Sequence, residues 1–381
     1  MTLIFKHQLN FRSIVALVGI FPVFATAGSQ AEENQRFSIR GFGTVGAAHS
    51  NNELAEYATN LNQPSGPGRG RSWDFTADTK AGIQLDGKLT NQLAAVVQLT
   101  SRKLASNGFQ PEVEWANIKY QATPDFSVRL GRVALSTLMQ SDARLVSYSL
   151  VPVRVPVEIY NITPPTNSDG IDATYVAHFG MATNTLQASF GRTKTKLAVG
   201  IPDGVVISEV QARKIINIAN TLESGRLSLR ASYFKANLSI PGFTYRYDMK
   251  AIGALYDLGV WFVQGEVAKS NGGGLTKNQE ALYALGGVRL SAVTPYASYA
   301  KANPQDPQLP SGAGFKQTTA TFGVRWDYSA NTALKLQYDR IDAPGLRATQ
   351  GSGSYFIKQT TSFLLNGGKI NLVSAAVDFV F

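Results

Sequence analysis

Cysteine is absent from the 381 residues, so disulfides, thiolate nucleophiles and Cys-type zinc sites are all excluded. Histidine is almost absent: His7, His49 and His178 are all there are. His7 falls in the leader described below. His49 and His178 fall at opposite ends of predicted strands, about 30 Å apart, too far to share a catalytic or metal site. No cofactor or metal ligand set is therefore expected. Beyond the leader, no apolar run approaches the roughly 20 residues of a membrane helix. No block of basic residues marks a nucleic-acid arm either.

A basic, apolar, small-residue order opens the chain. Lys6 and Arg12 precede the apolar run from Ile14 to Phe24, and Ala25-Thr-Ala27 follows. That order predicts a signal peptide over 1–27, with cleavage after Ala27 or, alternatively, after Ala31, leaving 28–381 as a single domain. Removing Lys6 and Arg12 leaves 34 basic side chains against 26 acidic ones, a net charge of about +8. In an exported chain that balance points to a lumen, a lipopolysaccharide-facing surface or anionic solutes rather than nucleic acid.

From Arg36 onwards one theme repeats: about ten residues of alternating apolar and polar character, a connection, and another such segment. Ala81, Ile83 and Leu85 share one parity, and Lys80, Gln84 and Asp86 the other. Phe322, Val324, Trp326 and Tyr328 stand likewise against Thr321, Gly323, Arg325 and Asp327. Alternation alone also suits a half-buried soluble sheet. Aromatics near segment ends, and links alternating between short and long, favour a membrane barrel. Strands are predicted near 36–48, 73–88, 92–102, 112–122, 125–133, 169–179, 184–193, 211–221, 225–236, 247–258, 259–269, 279–291, 294–302, 317–329, 332–342 and 369–381. That makes an all-β, closed antiparallel transmembrane barrel of about sixteen strands. Long links are expected at 49–72, 134–168, 194–210, 270–278, 303–316 and 343–368. A barrel this wide encloses water, so its inner parity is polar.

The chain ends with Val373, Ala375, Val377, Phe379 and Phe381 on one parity, a final strand with a terminal aromatic carboxylate. This resembles the C-terminal signature of bacterial outer-membrane barrels. Glu114 to Tyr120, Phe126 to Arg132, Pro156 to Tyr160 and Asn167 to Asp172 together resemble a Gram-negative porin. The resemblance implies an outer-membrane location and passive diffusion of small hydrophilic solutes and ions. It also implies a homotrimer, and a long third loop, here 134–168, folded into the lumen to narrow it. Pro156-Val-Glu-Ile-Tyr160 departs from the Pro-Glu-Phe-Gly-like turn of that family.

The inward parity carries Arg40, Lys80, Arg102, Lys119, Arg129, Arg226, Arg230, Arg325 and Lys335, more cations than its acids Asp86, Glu266, Asp327 and Asp339. Anion preference is the expectation. Asp142, Arg144, Arg154 and Glu158 on the loop, facing Arg40, Lys80, Arg102, Lys119, Arg129 and Arg132 on the wall, are the expected lining. Arg132 shares parity with outward Phe126, Val128 and Leu130, so it points inward only if a bulge shifts the register. Outer-membrane lipid and lipopolysaccharide are the expected surroundings. A substrate-specific channel, a plugged barrel or adhesin, and a carboxylate-only hydrolase remain the alternatives.

Overall fold

The computed structural model describes residues 36–69, 73–105, 108–272, 278–305, 315–346 and 355–381. The leader at 1–27 and both cleavage positions lie outside them. Sixteen antiparallel strands close into one barrel. In chain order they are β1 Phe37–Ser50, β2 Lys80–Lys88, β3 Leu93–Arg102, β4 Pro111–Thr123, β5 Phe126–Ala134 and β6 Asn167–Phe179. There follow β7 Ala182–Ile201, β8 Gly204–Ser224, β9 Leu227–Ile240, β10 Phe243–Asp257 and β11 Trp261–Gly272. The last five are β12 Gln279–Val288, β13 Val293–Pro304, β14 Gln317–Ser329, β15 Thr332–Pro344 and β16 Gly367–Val380. Closure runs through β1, whose first half pairs with β2 from Phe37↔Gly87 to Thr44↔Lys80. Its second half pairs with β16, from Phe42↔Val380 to Ser50↔Leu372. A ring without an edge leaves no row of unpaired backbone groups to face hydrocarbon. No helix among the described residues is long and apolar enough to cross a membrane.

Alternation sorts the side chains as the sequence suggests. On β15, Lys335, Gln337 and Asp339 are buried inside while Leu336 and Tyr338 are exposed outside. The outward apolar band ends at a row of exposed cations towards the long-loop end. Lys250 on β10, Lys269 on β11, Lys301 on β13 and Arg340 on β15 all stand there, with Lys235 half-buried on β9. Tyr233, Tyr299 and Tyr338 sit one outward position below three of them. The corresponding outward positions of β16, β1, β3 and β4 hold Asn371, His49, Ser101 and Pro111 instead. An apolar band capped by aromatics and then by charge is what a bilayer boundary selects.

Links at one end are tight throughout, with left-handed Gly180, Gly225 and Gly259 making three of the turns. At the other end two expectations fail. Residues 194–210 form no long loop: β7 and β8 run on as a hairpin turned at Pro202-Asp203. Likewise β9 and β10 continue to a turn at Pro241-Gly242, where Gly242 is left-handed. The cause is that the pattern changes past the membrane boundary. Apolar residues run on consecutively at Leu197–Val199 and Val205–Ile207, and on β9–β10 the inward positions Leu238, Ile240 and Tyr245 are the apolar ones, so apolar-out alternation does not mark where these strands stop. The expected strand 73–88 is also broken. Only Trp73–Asp74 and β2 are extended, and Asp74 Oδ1 accepts from the backbone N–H groups of Thr76 and Ala77 to form the turn between them.

Above the rim, Glu56–Tyr57 pairs with Phe356–Ile357, and Lys358 donates to Glu56, so the links after β1 and β15 are joined. Arg69 reaches Asp203 at the tip of the β7–β8 hairpin. A short helix, Thr361–Asn366, precedes β16 and is capped by Thr360, whose hydroxyl accepts from the Phe363 N–H.

Candidate channel lining

Between β5 and β6 the segment 135–166 leaves the wall at a crease made by three glycines in register. Gly131 on β5 pairs with Gly170 on β6, which pairs with Gly191 on β7. A Cβ added at these positions would lie 2.3, 2.1 and 2.6 Å from the carbonyl oxygens of Ala116, Phe190 and Asp169. Only glycine permits that approach.

From the crease the segment is fastened to inward side chains of β9–β15. Near its start, Arg230 donates to the Ser136 carbonyl (2.7 Å) and Ser232 to that of Thr137. Glu266 accepts from the Met139 N–H (2.7 Å) and the Tyr160 hydroxyl (2.8 Å). Further on, Lys335 donates to the carbonyls of Ser147, Leu150 and Pro152 at 2.6, 2.6 and 3.1 Å, while pairing with Asp378 at 2.7 Å. Arg325 donates to the carbonyls of Tyr148 and Leu150. The helix Val157–Tyr160 then packs on β12 and β13. Cations that the sequence suggests for sorting ions thus serve to hold backbone carbonyls, the groups that a segment without regular structure leaves unpaired.

The four loop residues divide into two kinds. Arg154 is 8% exposed and links Asp78 (2.6 Å) to Asp339 (2.8 Å), with Ser374 accepting from the same guanidinium. Burial opposes its charge, but the two carboxylates outweigh that and hold its pKa above the ordinary arginine value. Glu158 accepts from Gln317 (2.8 Å) and Thr319. Burial raises its carboxyl above the usual range despite those two donors. Both residues brace the segment against the wall.

Asp142 and Arg144 shape the segment itself: Asp142 accepts from the Ser136 hydroxyl at 2.7 Å, and Arg144 donates to the Pro164 carbonyl at 2.9 Å. Burial, together with nearby Arg102, lowers the Arg144 pKa to about 10.

On the opposite wall, Arg40 pairs with Asp86 at 2.7 Å, Arg129 with Asp172 at 2.7 Å, and Arg102 with Glu114 at 3.7 Å. Lys80 lies across from Arg102 in register, and Lys119 across from Arg129. Arg132 is not on this wall. It stays on the outward parity, bound through Nε and Nη2 to Asp169 at 2.6 and 2.9 Å. The register shift in β4 spans Val113–Trp115, next to Ala116 opposite Arg132, but it places Glu114 inward and leaves Arg132 outside, where its Nη1 donates to the Val113 carbonyl.

Sequence reasoning missed the inward carboxylates Asp78, Glu114, Asp172 and Asp378 as partners. Parity alone could have flagged Asp172 and Asp378, whereas Asp78 lies in the turn before β2 and no periodicity reaches it. Of the two described histidines, His49 packs against Trp73 with ring centroids 4.9 Å apart, and His178 bonds the Thr183 hydroxyl at 3.3 Å.

A closed sixteen-strand membrane barrel with a polar, charge-paired interior is the architecture of an outer-membrane channel rather than of an enzyme. Residues 14–346 match the family model of Gram-negative porins, and the chain belongs to that family. The fold is shared with the outer-membrane channel DcaP of Acinetobacter baumannii, at 12% identity, 94% of this chain, all of that chain and a TM-score of 0.57. It is shared too with OmpF of Salmonella typhi in complex with daunomycin, at 13% identity, 91% and 97% coverage and a TM-score of 0.56. OmpT of Vibrio cholerae in its trimer form follows, at 9% identity, 91% and 100% coverage and a TM-score of 0.53. No curated protein sequence matches.

Proposed function

We propose that the protein is a homotrimeric porin whose segment 135–166 narrows a water-filled channel for small hydrophilic solutes and ions, with a weak preference for anions. The observation that carries this reading is the asymmetry of the interior. The segment is bound to β9–β15, so the passage runs between it and the wall of β1–β6, where Arg40, Lys80, Arg102, Lys119 and Arg129 point inward. Asp142 and Arg144 border the passage on the loop side. Most wall cations have a carboxylate partner, so the field that selects ions is modest.

Association into trimers is supported by the V. cholerae relative and by the barrel's outer surface, where β1, β3 and β4 hold His49, Ser101 and Pro111 at the level at which β10, β11, β13 and β15 hold cations. The remaining sector would face lipid and lipopolysaccharide. Export would depend on residues 1–27. Reversal potentials across a potassium chloride gradient in planar bilayers test the ion preference: a modest shift towards the chloride potential is expected, and a shift towards potassium contradicts it.

A further inference from the structure

Outside the barrel, directly behind the glycine crease, lies a groove of about 580 Å³ flanked by Arg132, Asp169 and Arg192. The three come from adjacent strands in strict register, Arg132↔Asp169↔Arg192. Each sits beside a crease glycine in the pairs Gly131-Arg132, Asp169-Gly170 and Gly191-Arg192. The next strand adds two more cations by a separate device. On β8, Ala212 and Ile215 both face inward, leaving Arg213 and Lys214 together on the outside in a β-bulge opposite Arg192. Lys214 takes a left-handed φ of 52°, a backbone conformation that lysine adopts only at a cost. Four cations therefore stand around one carboxylate, and Arg132 already holds that carboxylate through two bonds.

Height decides what this patch meets. On β7, Leu186, Ala188 and Phe190 form the outward apolar stretch, and Arg192 is the first charge above it. Arg192 lies ten residues from the tight-turn end, about 25 Å along the barrel axis once strand tilt is included, which is the height of the apolar band of such barrels. Charge at that level meets the headgroups of the outer leaflet.

We propose that Arg192, Arg213 and Lys214 bind a phosphate group of a phosphorylated outer-leaflet glycolipid whose acyl chains lie along the apolar face below. This rests on the outer-membrane reading above and adds a defined lipid site to it. The guanidinium groups supply forked donors for phosphate oxygens, and the ammonium adds a mobile charge.

The test uses the full-length mature protein in neutral detergent with diphosphoryl lipid A as the probe, dephosphorylated lipid A as its control, and inorganic phosphate as competitor. The variant is Arg192→Gln with Arg213→Gln and Lys214→Gly, because glycine keeps the left-handed bulge while removing the charge. Wild type is expected to bind the diphosphoryl form on the order of tenfold to a hundredfold more tightly than the dephosphorylated form. The variant should lose that preference while keeping the folded, heat-shifted band and its conductance. Equal binding of both lipids by wild type, or an undiminished preference in the variant, overturns the proposal. Displacement of the lipid by millimolar inorganic phosphate would assign the patch to free anions and overturn it too. So would dissociation of the oligomer in the variant with lipid preference intact, which would make the patch a contact between copies. Because conductance is recorded in parallel, failure of the lipid site and failure of the channel reading give different results.

Discussion

Arg154 ties distant parts of the interior together, since it spans from the segment 135–166 to Asp78 above β2 and Asp339 on β15. Replacing it with methionine would leave two buried carboxylates without their cation, a loss of about 3–5 kcal/mol. Urea unfolding in detergent is expected to show that loss, while Arg144→Met, which breaks only carbonyl bonds of the segment to itself, should cost less.

Glu158 makes a prediction about pH. Its carboxyl titrates above the ordinary range because burial disfavours the charge. The folded protein therefore holds that proton more tightly than the unfolded chain does. Its contribution is fully present at acid pH and declines as pH rises from about 4, the ordinary carboxylate value, to its raised value. Glu158→Gln keeps an acceptor for Gln317 and Thr319 and is expected to flatten that slope in unfolding midpoints recorded against pH. An unchanged slope would contradict the assignment. The sequence singles out both residues, but not their task. Their place on a Pro-rich loop suggested a lining, whereas burial against partners distant in the chain makes them braces.

At the level of elements, alternation reveals the strands and their number, because inward and outward environments differ at every second residue. It fails where that contrast is lost or reversed, in the upper β7–β8 hairpin with its consecutive apolar residues Leu197–Val199 and Val205–Ile207, and in the upper β9–β10 hairpin, where Leu238, Ile240 and Tyr245 lie on the inward parity. The glycine crease was equally hidden: the Gly-Arg pairs are visible at Gly131 and Gly191, but their adjacency depends on register. Gly170→Ala is expected to lower the yield of folded barrel, since its Cβ would lie 2.1 Å from the Phe190 carbonyl oxygen. Semi-native electrophoresis would report the folded fraction. The fastening of the segment 135–166 makes a second element-scale prediction. Lys335→Met removes its bonds to three of the segment's carbonyls, of which Leu150 keeps Arg325 and Ser147 keeps the Leu150 N–H, and it takes away the cation paired with Asp378. Single-channel records of this variant should show more open-channel noise than wild type, with the barrel still inserted. A record as quiet as wild type would mean that the segment is held by other contacts.

For the whole molecule, the excess of inward cations read from the sequence largely cancels in three dimensions, as Arg40, Arg102, Arg129, Arg325 and Lys335 each meet a carboxylate. The sequence count includes Asp86 and Asp327 but leaves out Asp172 and Asp378, which share the inward parity, and Glu114, which sits at the register shift of β4; with these partners in place strong selectivity is not expected. Outside, the apolar band, its tyrosines and the cations above them account for insertion in a bilayer without any helix. The account stands or falls on whether the closed, polar-lined cylinder conducts. Planar-bilayer recording of the purified protein is the direct measurement: stepwise, nearly ohmic current increments are predicted, and a protein that inserts yet passes no current would contradict the account.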